Sequence, residues 1–350
     1  GTAGTMMANK LRKSLSVDEW EITIVDQHKT HYYQPGFLFI PFGIYNKQDV
    51  IKPKTDFFPP GVNVVFSEID RIDGENNQVF LNDSKVLSYD MLIIATGVRT
   101  VPEETPGLKD KLWYKNIFDF YTVEGAIALQ KFFKSWEGGK LVMAIAEMPF
   151  KCPVAPIEFV CLADWYFTQA GIRDKVDISF VTPLPGAFTK PIATKMLSTL
   201  LEEKNIKVIP EFYIQNVDNE TKELVSYDNQ KVPFDALTIV PVNMGADMIE
   251  NSGLGDDLNF VATDKETLQS KQFENIFVLG DASNIPTSKA GSVAHFSAEI
   301  LLENLMSYIE GRPMTAKFDG HANCYIETGF GKGALIDFNY DTEPLPGTFP

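Results

Sequence analysis

"GTAGTMMANKLRKSL" (Gly1–Leu15), followed after Ser16–Glu19 by "WEITIVD" (Trp20–Asp26), is the stretch on which the fold turns. Gly1 and Gly4 have the spacing of the second and third glycines of a G-x-G-x-x-G loop. The first glycine and its leading strand would precede residue 1. Thr5–Leu15 reads as the helix that follows such a loop, and Trp20–Asp26, rich in β-branched residues, as the next strand. Asp26 ends that strand about 20 residues beyond Gly4, where an acid accepts hydrogen bonds from an adenosine ribose. Half a motif is weak alone, and Asp26 also reads as a plain turn residue. The expected order of helix, strand and acid favours a dinucleotide fold, in which glycines let backbone N–H groups approach a pyrophosphate.

Composition narrows the setting. The 350 residues are 44% hydrophobic and 22% charged, enough for one large or two medium cores. A formal net charge of -16 excludes nucleic acid as a partner and gives no electrostatic draw toward anionic lipid. No apolar run is long enough to cross a bilayer, and no signal-peptide pattern is visible. Three cysteines are too few for a disulfide scaffold and are either core thiols or a small redox set. No His, Cys and Asp grouping has metal-ligand spacing, so no metal is expected.

The pattern then repeats. "YDMLIIATG" (Tyr89–Gly97) reads as a buried strand closing on a Thr96–Gly97 turn. "GKLVMAIA" (Gly139–Ala146), "PVAPIEFVCLADWYF" (Pro153–Phe167) and "VDISFVTP" (Val176–Pro183) read as strand, helix and strand, and "FDALTIVPV" (Phe234–Val242) echoes Tyr89–Gly97. These imply an α/β chain of two Rossmann-like doubly wound domains, the second inserted in the first. The first takes residues 1–107 and 243–313, the second 108–242, and a C-terminal extension 314–350. After its first strand the second domain offers Glu147, Met148, Pro149, Phe150, Lys151 and Cys152 in place of glycines, and its partner strand ends in Thr182 and Pro183 with no ribose acid. Side chains there hold a pyrophosphate away from the backbone, so this half is expected not to bind a nicotinamide nucleotide. "NIFVLGDASNIPTSKAGSVAHFSAEILLENL" (Asn275–Leu305) returns to the first domain, with a strand ending at Gly280–Asp281 and a helix from near Ala290.

With "HYYQPG", "YDMLIIATG", "KCPVAPIE", "GDASNIPTSKAG" and "HANCYIETGFGKGAL", nearly the whole chain resembles the sulfide:quinone oxidoreductase group of FAD enzymes. Type II NADH dehydrogenases and flavocytochrome c sulfide dehydrogenase are related groups. The resemblance implies FAD, held by Gly1, Gly4, Asp26, Thr96, Gly97, Gly280, Asp281 and Lys289. The helix after Lys289 would turn its positive end toward the flavin pyrimidine and stabilise reduced flavin. A solvated loop lysine is the plainer reading of Lys289.

The resemblance also implies that Cys152 and Cys324 face one another beside the flavin. A thiol at a helix N-terminus is expected to have a lowered pKa, and hydrosulfide can attack an oxidised sulfur pair by thiol–disulfide exchange. First sulfide capture falls to Cys152 and transfer to the flavin to Cys324, with the reverse order open. Two separate buried thiols, or a static staple, are the bland alternative. Cys161, among Phe159, Val160 and Leu162, reads as a core thiol. Many members of the group carry a third redox cysteine where this chain has "NIFDFYTVEGA" (Asn116–Ala126), with Tyr121 near the place. Glu158 stands where a relative has a proton-handling glutamate, and burial would raise its pKa; a helix-surface acid is the alternative. His31 is a candidate lining of the flavin cleft and His321 a base for the thiols, while His28 and His295 read as turn and packing residues. Tyr33, Phe330, Phe338 and also Tyr340 are candidate walls of a quinone slot, or ordinary core.

Sulfide and a quinone are thus the expected small-molecule partners. Members of the group continue into amphipathic helices at the membrane interface, so a peripheral, monotopic membrane protein is expected, its anchor beyond residue 350. A homo-oligomer is left open. Three rivals share the motifs: an NADH:quinone oxidoreductase, a flavocytochrome-like dehydrogenase and a non-enzymatic flavin redox sensor.

Overall fold

The computed structural model describes residues 1–344. The chain is a mixed α/β protein. In order along it run α1 (Thr2–Ser14), β1 (Thr23–Asp26), β2 (Asn63–Phe66), β3 (Leu92–Ile94), β4 (Ile117–Phe118), α2 (Val123–Phe133), β5 (Gly139–Ile145), α3 (Ala155–Gln169), β6 (Val176–Val181), α4 (Pro191–Glu203), β7 (Lys207–Ile209), β8 (Ala236–Val240), β9 (Ile276–Val278), α5 (Gly291–Ile309), β10 (Ala322–Glu327) and β11 (Gly333–Phe338). Short antiparallel strands fill the connections.

The middle of the chain forms a five-stranded parallel sheet in the order β4-β8-β5-β6-β7. β5 and β8 are covered on both faces: Leu141, Met143 and Ile145 face the main core with α3, while Val142, Ala144, Leu237 and Ile239 pack against Val217, Leu224 and Val232 of a three-stranded antiparallel sheet, so every residue of β8 is buried. β8 arrives from far along the sequence and inserts between β4 and β5. This is why "FDALTIVPV" lacks the alternation of a half-exposed strand.

Two parallel pairs flank the N-terminal helix. Thr23–Asp26 of β1 runs in register with Asn63–Phe66 of β2, and Leu92–Ile94 of β3 with Ile276–Val278 of β9. The second pairing brings the ends of "YDMLIIATG" and "NIFVLGD" side by side, and the Leu279 N–H donates to the Ile94 carbonyl at 2.9 Å. β10 and β11 form an antiparallel hairpin in which Cys324 pairs with Ile336 and Asn323 with Asp337. Ala322, Cys324 and Ile326 share its inward face and join the main core.

The hairpin turn is held tightly against α3. Gly329 has φ +76°, and a Cβ there would lie 2.8 Å from the Cys161 carbonyl oxygen and 3.0 Å from the Trp165 Cβ. Glycine serves both needs, the left-handed backbone and the close approach.

Candidate functional site

Three motifs far apart in sequence meet at one point. A Cβ at Gly280 would lie 3.2 Å from the Ala3 Cβ and 3.6 Å from the Ala294 Cβ. The end of β9 therefore sits between the first turns of α1 and α5. A Cβ at Gly4 would touch the Ala95 Cβ at 3.5 Å, which adds the end of β3 to the cluster. Gly97 and Gly280 have φ +70° and +74°, the left-handed turns that end these two strands. Neither α1 nor α5 has a side-chain N-cap. The uncapped first turns of α1 and α5 thus lie on either side of Gly280, an arrangement that offers backbone N–H groups to an anionic ligand. The half-buried Asp281 carboxylate has no hydrogen-bond donor among the described residues, so it is available to a hydroxylated ligand. The residues present fit the dinucleotide that the sequence implies.

Asp26 stands beside Gly1 at the start of α1. Its Oδ1 accepts from the His28 N–H at 3.0 Å and is paired with Lys54 Nζ at 2.6 Å. Lys54 is buried, and no motif in "IKPKTDFF" marks it. His31 lies nearby, tilted against Phe57 at 4.5 Å, and burial, with Lys54 behind it, lowers its pKa. Thr96 is exposed at the end of the β3 turn.

Lys289 is not a solvated loop residue. It is buried, its Nζ donates to the carbonyls of Asp281 at 2.8 Å and Ser283 at 2.9 Å, and the ammonium lies 3.6 Å from the Phe260 ring centroid. Burial lowers its pKa to about 8 against the pull of Asp281 and Asp256. The side chain is spent on shaping the Asp281 loop. Its backbone reaches the other way: the Lys289 carbonyl accepts from the Cys152 N–H at 2.7 Å.

Cys152 lies just before α3, with φ +53°. Its carbonyl accepts from the Ala155 N–H at 3.0 Å and from Tyr121 Oη at 3.2 Å. The expectation of a lowered thiol pKa is overturned. α3 begins at Ala155, so the thiol is not on its first turn, and burial, reinforced by Glu158 and Cys324, pushes the thiol well up. Burial and then Glu158 likewise raise Cys324 to about 12. Both thiols are free and half-buried, and the field of each reports the same neighbour, Glu158. Cys161 is fully buried on α3, as a core thiol should be.

Glu158 is 7% exposed. Its Oε1 accepts from the Glu327 N–H at 2.9 Å, which ties α3 to the hairpin that carries Cys324. Burial raises its pKa to about 7; the hydrogen bond from Glu327 opposes the rise and the Glu327 charge adds to it. Lys151, beside Cys152, donates to Gln34 Oε1 at 2.8 Å and reaches the aromatic loop. Lys54 stands in no motif, and Glu327, although inside "HANCYIETGFGKGAL", carries no local signal of its contact with Glu158.

Several expected residues belong elsewhere. Phe338 is 3% exposed and packs edge-on against Phe188 at 6.3 Å, so it is core and has no surface to give a quinone. Tyr340 is likewise engaged, its Oη donating to the Lys265 carbonyl at 3.0 Å. Phe330 is 44% exposed on the hairpin turn, under Lys204 at 4.9 Å, and Tyr33 is exposed on the aromatic loop. Nothing brings these two together. His321 is no base for Cys324: it stacks on Phe296 at 4.0 Å, and its Nε2 lies 2.8 Å from Asp337 Oδ1. Asp337 pairs with Asn323, whose side chain points to the face of β10 opposite Cys324.

The likeness to known proteins runs through this whole arrangement. No protein-family model matches the chain. Over 348 residues it is 30% identical to the mitochondrial sulfide:quinone oxidoreductase of Dictyostelium discoideum, spanning 98% of this chain and 77% of that protein. The chain belongs to the sulfide:quinone oxidoreductase family. The solved sulfide:quinone oxidoreductase of Aquifex aeolicus superposes with a TM-score of 0.83 at 19% identity, covering 97% of this chain and 82% of that one, which shows the shared fold. A type II NADH:quinone oxidoreductase of Staphylococcus aureus is 24% identical over 96% of this chain and 88% of its own length. As a member of the sulfide:quinone oxidoreductase family the chain is an enzyme.

Proposed function

We propose that the protein oxidises sulfide to sulfane sulfur at Cys152 and Cys324 and passes the electrons through FAD to a quinone. One observation carries the reading. The loop where a nicotinamide-binding half needs glycines instead presents Cys152, bonded through its N–H to Lys289 of the loop that also holds Asp281. A thiol is thereby fixed to the element expected to face the flavin.

Residues 1–107 and 243–313 are read as the FAD unit, 108–242 as a nicotinamide half that has lost its cofactor, and 314–344 as the described part of the extension that brings Cys324. Asp26, Gly97, Gly280 and Asp281 would hold FAD, with Gly1 and Gly4 at the pyrophosphate and Thr96 at the rim. Bound there, FAD supplies the two-electron acceptor for the sulfurs and the donor to quinone.

The residues divide the rest of the chemistry. With the pair oxidised, HS⁻ attacks one sulfur, the S–S bond breaks, and one cysteine is left as a persulfide and the other as a thiolate. Overall, HS⁻, quinone and one proton give sulfane sulfur and quinol. Because burial disfavours both thiolates, the negative charge released on cleavage does not accumulate and is handed on. Glu158, near neutrality in pKa, suits uptake and delivery of the proton. Tyr33 and Phe330 remain candidate walls for the quinone on separate surfaces. No described helix is long and apolar enough to cross a membrane; attachment to the membrane face is read as peripheral.

The likeness to type II NADH:quinone oxidoreductases makes NADH the rival donor. Anaerobic addition of sulfide and, separately, of NADH to the FAD-loaded protein decides between them. Bleaching of the oxidised-flavin band by sulfide supports this reading, and bleaching by NADH alone supports the rival.

A further inference from the structure

Tyr121 touches three consecutive residues of the redox loop. Its ring packs edge-on against Phe150 at 6.4 Å, Lys151 Nζ stands 5.9 Å from its centroid, and its Oη donates to the Cys152 carbonyl at 3.2 Å. The side chain is 6% exposed, and its hydroxyl has no other partner among the described residues. It comes from the loop between β4 and α2, which Asp119 fastens by accepting from the Thr122 N–H at 2.7 Å and from Tyr114 Oη at 3.0 Å. The donor is therefore mounted on a braced support.

Cys152 needs such a donor. A residue with a Cβ in the left-handed region is strained by roughly 1–2 kcal/mol and persists there only when its surroundings hold it. Two of the restraints are backbone bonds, from Cys152 to Lys289 and from Ala155 to Cys152. The third is the Tyr121 hydroxyl, the one side-chain bond to Cys152 itself among the described residues; one residue earlier, the Lys151 N–H donates to Asn243 Oδ1 at 3.2 Å.

We infer that Tyr121 is a positioning residue for the sulfide half-reaction: its hydroxyl clamps the Cys152 carbonyl and so fixes the direction in which the thiol points. The inference rests on the sulfide reading for its kinetic consequence, but not for the clamp itself. Without the hydroxyl Cys152 can relax from its left-handed conformation while the aromatic packing and the Asn243 bond to Lys151 stay. The ring alone does not restrain the carbonyl.

Tyr121→Phe keeps the ring and removes the donor. In the FAD-loaded protein, two rates are compared with wild type: anaerobic flavin reduction by sulfide and reoxidation of the reduced flavin by a short-chain quinone. Alkylation of Cys152 by iodoacetamide, followed by mass spectrometry with Cys324 as the internal reference, reports the thiol without sulfide. The clamp predicts that sulfide reduction slows by up to about tenfold, the size of one lost neutral hydrogen bond. Reoxidation, FAD content and Tm should stay at wild-type values, and the Cys152 to Cys324 alkylation ratio should change severalfold. An unchanged alkylation ratio overturns the clamp, as does a parallel fall of both half-reactions with Tm. If wild type is not reduced by sulfide at all, the functional reading fails and the alkylation ratio still decides the clamp.

Discussion

The Glu158 carboxylate accepts a hydrogen bond from the backbone N–H of Glu327 at 2.9 Å, across the junction of α3 and the C-terminal hairpin. One end of that junction lies in the field of Cys152 and Cys324, and the other is the half-buried Glu327, so a buried acid beside the thiols is linked to one nearer the surface. Three consequences follow for pH.

Glu158→Gln removes the group that titrates near pH 7. Turnover with sulfide and quinone should fall and lose its pH dependence around neutrality, while FAD stays bound. Steady-state rates from pH 5.5 to 8.5 check this, and a variant with the wild-type profile would remove Glu158 from proton handling.

Stability should follow the same titration. The folded-state pKa of Glu158 is raised above its unfolded value, so its favourable contribution is full below about pH 4.5 and is lost as pH rises through about 7. Glu158→Gln should therefore melt higher than wild type at pH 8, on the order of 2–3 kcal/mol in stability, with little advantage at pH 4.5. Melting curves at the two pH values measure the difference.

Glu327→Gln keeps the backbone donor and removes a negative charge that raises the Glu158 pKa. The neutral-pH limb of the activity profile should move to lower pH, with sulfide reduction of the flavin retained. No movement of that limb would uncouple the two acids.

The hairpin position is testable apart from the acids. Gly329→Ala puts a Cβ within 2.8 Å of the Cys161 carbonyl at φ +76°. It should cost about 1–3 kcal/mol and slow sulfide reduction, because the turn holds the strand that carries Cys324, while FAD content stays near wild type. Cys161→Ser, by contrast, should destabilise by about 1–3 kcal/mol through a buried hydroxyl and leave the sulfide half-reaction intact. Circular-dichroism melting with rapid-mixing absorbance separates the two.

Much of this arrangement was legible in the residues. The order of helix, strand and acid at Gly1–Asp26 and the return of a strand at Asn275 place the ends of β1, β3 and β9, because glycine turns and apolar runs are local signals. Cys152 stands out because it replaces the glycines of a nucleotide loop, whereas Cys324 and Glu158 are marked only by the resemblance to the sulfide:quinone oxidoreductase group. What escaped depends on contacts between distant segments. Lys54 pairs with Asp26 and Glu327 bonds Glu158 without any local pattern. Lys289 was marked, but its burial and its two carbonyl partners follow from Phe260 and the Asp281 turn. Phe338 looked like a pocket wall because an aromatic on a strand gives the same signal whether it meets a ligand or Phe188. The thiol is not lowered in pKa because helix α3 starts at Ala155, two residues beyond the Pro153 start that the sequence suggests, and burial then governs.

Anaerobic titration of the FAD-loaded protein with sulfide, in wild type, Cys152→Ser and Cys324→Ser, tests the central claim most directly. Stoichiometric loss of the oxidised-flavin band in wild type, with both serine variants holding FAD yet staying yellow, is the predicted result. A wild-type flavin that stays oxidised in excess hydrosulfide, or serine variants that bleach as fast as wild type, would contradict it.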